Sequence, residues 1–125
     1  MILADGSEGF TYENEFGGYW GHDAEDPYNV NTAGRAQSWS PALNETFDFG
    51  SDKVRGVNLG GWLNTEPFIV PSLYEKYNPS AVDEWTLSLA MGANLEKEMT
   101  EHYDTFITEQ DFMEIAAAGL NWVRM

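Results

Sequence analysis

The chain has 125 residues and sets 21 acidic side chains against 6 basic ones, a formal net charge of −15. A field of that sign repels phosphate backbones and anionic lipid headgroups, so neither nucleic acid nor a membrane surface is expected as a partner. The absence of cysteine removes disulfides, thiolate catalysis and cysteine-ligated metal centres, while a 42% hydrophobic fraction with seven Phe, six Tyr and five Trp suffices for a packed core.

In chain order, Met1-Ile2-Leu3-Ala4-Asp5-Gly6 has no basic residue and too short an apolar run for a signal peptide or a spanning helix. Residues 1–46 are rich in Gly, Asn, Asp and aromatics, with turn signals at Gly17-Gly18 and Asp26-Pro27. They read as an irregular, β-rich N-terminal extension whose aromatics serve either a core or a binding face. Phe47 to Val54 reads as a β-hairpin turning at Gly50–Asp52. Val54, Val57 and Leu59 mark a strand that ends at Gly60-Gly61.

From Pro71 the pattern is helical. Pro71 suits the first position of a short helix through Tyr74. Between Ala81 and Met91, the three-to-four-residue spacing of Val82, Trp85, Leu89 and their neighbours predicts a helix. Leu95, Met99, Tyr103 and Phe106 mark one face of the next. Thr108, with Asp111 three residues on, is a capping-box pattern for a helix that runs to Gly119, a natural terminator. Asn121–Met125 is β-prone. Strand, helices, strand implies parallel pairing through a right-handed crossover. A chain that stops on a fresh strand reads as the front part of something longer.

Most chemical motifs are missing or weak. His22 and His102 have no second ligand at metal spacing and read as surface histidines. The acidic run Asp23-Ala24-Glu25-Asp26 lacks the alternating ligands and central glycine of a calcium loop, so no metal and no cofactor is expected. There is no G-x-S-x-G elbow and no phosphate-binding glycine loop. Glu66 is more informative. It follows the first strand and is flanked by Trp62 and Phe68, which suits sugar binding by ring stacking plus a carboxylate that holds hydroxyls; a helix-start acid or a loop ion pair is the alternative. Arg124, near the end of the second strand, either pairs with a structural carboxylate or fixes one in an active site. Asn44-Glu45-Thr46 is an N-glycosylation sequon, whereas proline disqualifies Asn78-Pro79-Ser80.

The run Arg55-Gly56-Val57-Asn58-Leu59-Gly60-Gly61-Trp62-Leu63, with Glu66-Pro67-Phe68 and Pro71-Ser72-Leu73-Tyr74-Glu75, resembles the opening of fungal exo-β-1,3-glucanases of glycoside hydrolase family 5. Phe106-Ile107-Thr108-Glu109-Gln110-Asp111-Phe112, Ile115-Ala116 and Gly119-Leu120-Asn121-Trp122-Val123-Arg124 match the same family in the same order. Residues 34–46 are similar to the segment that precedes the barrel in the larger, membrane-anchored glucanases of that group. Asn64 and Met125 depart from the pattern, standing where the family usually has an apolar residue and Ile.

This resemblance implies an α/β fold. Residues 47–125 would be the first two strands and helices of an incomplete TIM (β/α)₈ barrel cut at Met125, with 1–46 as the extension before it. It implies a β-1,3-glucan substrate, release of glucose from the non-reducing end with retention, and a monomer at full length. It also implies placement outside the cell or in the cell wall, or type II anchoring in the plasma membrane. Glu66 matches the family glutamate that binds the sugar in the glucose subsite, and Arg124 the arginine that supports the catalytic carboxylates. Both catalytic glutamates would lie beyond Met125, so the isolated chain is expected to be inactive. The competing expectation is a non-catalytic carbohydrate-binding or cell-wall structural module, or an inactive truncated homologue.

Overall fold

The computed structural model describes residues 11–20 and 34–125. His22, the acidic run 23–26, the Asp26-Pro27 turn and residues 1–6 lie outside the described residues. In order, the elements are β1 (Gly56–Asn58), α1 (Pro71–Glu75), α2 (Glu84–Met91), a 3₁₀ turn (Gly92–Asn94), α3 (Leu95–Thr105), α4 (Glu109–Ala117) and β2 (Trp122–Arg124). Among the described residues, no helix is long and apolar enough to cross a membrane. The chain divides into two compact units, one of residues 1–57 with 108–123, the other of residues 58–107 with 124–125.

β1 and β2 form a two-stranded sheet. The amides of Asn121 and Trp122 donate to the Arg55 carbonyl (2.9 and 3.2 Å), and the Leu59 amide donates to the Arg124 carbonyl (2.8 Å). Paired residues climb together in number, so the pairing is parallel, as the strand–helix–strand order predicts. Each strand is only three residues long. Around Gly50–Asp52 the expected turn is present, but no strands flank it. Asp48 and Asp52 hold that turn: the Asp48 carboxylate accepts from the Gly50 amide (2.9 Å) and the Ser51 hydroxyl (2.8 Å), and the Asp52 carboxylate from the Asp48 amide (2.8 Å). An Asx-type turn of this kind satisfies its own polar groups and needs no ladder.

In the first unit, the described part of the extension is built on a buried polar chain. The Asn14 amide donates to the Tyr12 hydroxyl (2.7 Å) and to Gln37 Oε1 (2.9 Å). Gln37 Nε2 in turn donates to the carbonyls of Ala116 (2.6 Å) and Leu120 (2.8 Å), at the end of α4 and the entry to β2. Asn121 ties the strand entry further, donating to Ser40 Oγ and the Lys53 carbonyl and accepting from the Arg55 amide. Its aromatics divide: Tyr12 is buried, Trp20 and Trp39 are half-buried, and Phe16 and Tyr19 are exposed.

The core of the second unit is Val70, Tyr74, Ala81, Leu87, Met91 and Met99, with Leu95 and Phe106 packed against it. The helical spacing read between Ala81 and Met91 is met by α2, but Val82, Trp85 and Leu89 are not its buried residues: they are 67%, 73% and 64% exposed, and Leu87 and Met91 are buried. Asp83 accepts from the Thr86 amide (2.8 Å) while Thr86 Oγ1 accepts from the Asp83 amide (3.0 Å), a cap that starts the helix at Glu84. A pattern with apolar residues on both faces leaves periodicity alone ambiguous. On α4, by contrast, the Asp111 carboxylate reaches back to the Thr108 amide (2.7 Å) at the position the sequence indicates.

Candidate functional site

The site is assembled at the C-terminal ends of the two parallel strands, within the second unit. Leu59 and Gly60 follow β1 directly, and the Leu59 amide is bonded to the carbonyl of Arg124, the last residue of β2. The chain returns closely on the Gly60-Gly61 pair, and Gly61 is the position that needs glycine. A Cβ on Gly61 would lie 2.6 Å from Ile69 Cγ2, and Gly61 also has φ of +78°, a conformation that L-residues rarely adopt. A Cβ on Gly60 would lie 2.7 Å from Ile69 Cδ1 and 3.5 Å from Glu66 Oε1. The Glu66 carboxylate therefore lies against Gly60, one residue beyond the position that pairs with Arg124.

Neighbouring side chains hold the turn from Gly61 to Glu66. His102, near the end of α3, places Nε2 2.7 Å from the Gly61 carbonyl and 3.1 Å from the Trp62 carbonyl. The Trp62 indole answers with a 2.8 Å bond to the Tyr103 carbonyl. Thr65 is buried; its amide donates to Glu84 (2.6 Å), its hydroxyl bonds Tyr74 (2.9 Å), and its carbonyl accepts from Tyr74 (3.2 Å). The Glu66 carbonyl then caps the following turn, accepting from the amides of Ile69 (3.0 Å) and Val70 (2.9 Å).

Against this scaffold the Glu66 carboxylate stands apart. It is half-buried, yet among the described residues its oxygens take part in no hydrogen bond or ion pair. The alternative of a loop ion pair is thus not what the structure shows. Phe68, two residues on, is 79% exposed. Arg124 is exposed and likewise pairs with no carboxylate among the described residues. Both expected site residues thus adjoin Leu59–Gly60, unpaired and not bonded to each other. Asn44 lies elsewhere, exposed in a surface turn closed by the Glu45 amide on the Ala42 carbonyl (2.9 Å).

Sequence reasoning missed His102, which was read as a surface histidine. It is half-buried, and its ring stacks on Phe106 at 4.8 Å and 28°. Its spacing to the later aromatic was visible in the sequence, but its acceptors lie about forty residues upstream, as the separations of 41 and 40 show. No local pattern encodes such a contact.

With this geometry in place, comparison with known proteins is informative. No family model matches the chain. It is 53% identical over 85 residues to "Glucan 1,3-beta-glucosidase D" of Emericella nidulans. It is 56% identical over 87 residues to the Neosartorya fischeri protein named "Probable glucan 1,3-beta-glucosidase D", and 53% identical over 97 residues to the Aspergillus niger protein of the same name. The chain is a homologue of these fungal glucan 1,3-beta-glucosidases. The matched stretches take in 68%, 68% and 76% of this chain, respectively. They are only 10–12% of the relatives, so the chain spans about a tenth of their length.

Proposed function

We propose that these residues form the sugar-contacting start of a glycoside hydrolase family 5 glucan 1,3-β-glucosidase barrel. Glu66 accepts hydrogen bonds from hydroxyls of a terminal glucose, and Arg124 holds the carboxylates that do the chemistry. The observation that carries this reading is the Glu66 carboxylate, half-buried against Gly60 at the end of β1 and without a hydrogen bond or ion pair among the described residues. An ionised carboxylate has room for about four incoming hydrogen bonds. Left without a protein partner at a strand end, it is ready to take them from hydroxyls, with the Phe68 ring available to the sugar's apolar face. Arg124, at the end of the adjacent parallel strand, supplies a planar cation suited to carboxylates.

Retaining hydrolysis needs a proton donor and a nucleophile, two carboxyl groups about 5–5.5 Å apart. On this reading both glutamates come from polypeptide other than these 125 residues, from later strands of a (β/α)₈ barrel. Such a barrel takes about 250 residues, more than this chain holds. The 125 residues alone therefore bind β-1,3-glucan without hydrolysing it. A net charge of −15 is compatible with a neutral polysaccharide. The same reading places the protein outside the cell or in the cell wall, or anchored at the plasma membrane.

Titration calorimetry of the 125-residue chain with laminarihexaose tests this. Glu66→Gln is expected to weaken binding about tenfold, the value of a charge-assisted hydrogen bond. Equal affinity of Glu66→Gln and the parent would refute the role of Glu66. Glucose released by the purified chain above a buffer blank would refute the division of labour.

A further inference from the structure

The turn that carries Glu66 is held by a two-way clasp to α3. The ring of His102 bonds the Gly61 and Trp62 carbonyls, while the Trp62 indole bonds the carbonyl of Tyr103, the residue after His102. Both acceptors of His102 are carbonyls, which cannot donate, so Nε2 is the protonated nitrogen. The Nε2–H donor is present in the neutral ring and in the charged one. Stacking on Phe106 fixes the plane of the imidazole, and so the direction in which that donor points.

These contacts fall on the two residues where the backbone most needs them. Gly61 is in the left-handed region and Ile69 closes on it from the other side. The chain between β1 and Glu66 has many accessible conformations in solution, and a donor that engages two successive carbonyls selects one of them. Glu66 is held separately through Thr65 by Glu84 and Tyr74, so rotation of the Gly61-Trp62 peptides moves Gly60 and the end of β1 relative to its carboxylate.

We infer that His102 is a positioning residue for the sugar site: by donating Nε2–H to the Gly61 and Trp62 carbonyls, it sets the turn that presents Glu66. The inference rests on the reading of Glu66 as the sugar-binding carboxylate. Its two consequences, turn order and affinity, are measured separately.

The experiment compares His102→Gln, which keeps a donor of similar reach and loses the ring, with His102→Phe, which keeps the stack on Phe106 and loses the donor. Hydrogen exchange of the amides of residues 60–66 and of the Trp62 indole is followed in the full chain, with α2, in the same unit, as the reference for unfolding. His102→Phe is expected to speed exchange in 60–66 about fivefold or more, the value of a hydrogen bond of ordinary strength, with α2 unchanged. His102→Gln is expected to restore it. Laminarihexaose affinity should follow the same order. Unchanged exchange in His102→Phe would overturn the inference, as would His102→Gln behaving worse than His102→Phe. Loss of affinity with no change in exchange would also count against it. If the parent chain fails to bind laminarihexaose, the sugar-site reading falls, and with it the role of His102 toward sugar; the exchange result still decides whether the clasp orders the turn.

Discussion

Replacement of Gln37 by Leu is the sharpest test of how the described extension is joined to the rest of its unit. Gln37 is fully buried, and its amide makes three bonds: to the Ala116 carbonyl, to the Leu120 carbonyl and from Asn14. Leu is close to Gln in volume, so packing is largely retained and the loss is polar. The three partners do not suffer equally. Ala116 O still accepts from the Gly119 amide (2.9 Å), and Asn14 Nδ2 still has the Tyr12 hydroxyl (2.7 Å) and the Ala36 carbonyl (3.2 Å). Leu120 O loses the one side chain that reaches it. An orphaned acceptor of this kind costs about 1–3 kcal/mol, and weakening of the other two adds about 1 kcal/mol. Gln37→Leu should therefore destabilise the chain by about 2–4 kcal/mol, read as a lower midpoint in urea unfolding followed by tryptophan fluorescence at unchanged slope. A change below about 0.5 kcal/mol would refute the reasoning, because it is within the range of an ordinary surface substitution. Gln37→Glu should be at least as damaging, since a carboxylate then faces two carbonyl oxygens.

Acid should loosen the second unit before neutral pH does. The Thr86 hydroxyl, and after it the Thr86 amide, hold the Asp83 carboxyl below its ordinary value; the Tyr77 hydroxyl and then the Lys76 ammonium do the same for Glu98. A carboxylate whose pKa is depressed by folding contributes stability above the unfolded value, and loses it as pH falls through the folded one. The unfolding midpoint should thus be flat near neutrality and fall below about pH 4, with Asp83→Asn removing part of that dependence. A midpoint insensitive to pH in that range would contradict it. Asn44 is exposed in its turn and should carry glycan on material secreted from a glycosylating host, read as a mass increment abolished by Asn44→Gln. Recovery of unmodified Asn44 from such material would count against this.

The sequence by itself determined what depends on neighbours along the chain. The Thr108–Asp111 cap, the stop at Gly119, Pro71 at the start of α1 and the parallel order of the two strands all follow from local chemistry. Glu66 and Arg124 stood out in the sequence because one follows a recognisable strand and the other ends one, within motifs long enough to be distinctive. Tertiary structure alone decided the rest. It buried Leu87 and Met91 and left Trp85 and Leu89 exposed, because only packing chooses between the two apolar faces of α2. It also made Gln37 and His102 structural anchors through carbonyls 79 and 41 residues away. Backbone carbonyls are the same in every residue, so a side chain that seeks one leaves no mark in the sequence of its partner. The Glu66 carboxylate makes no hydrogen bond or ion pair among the described residues, and that too is decided only by the folded turn around it.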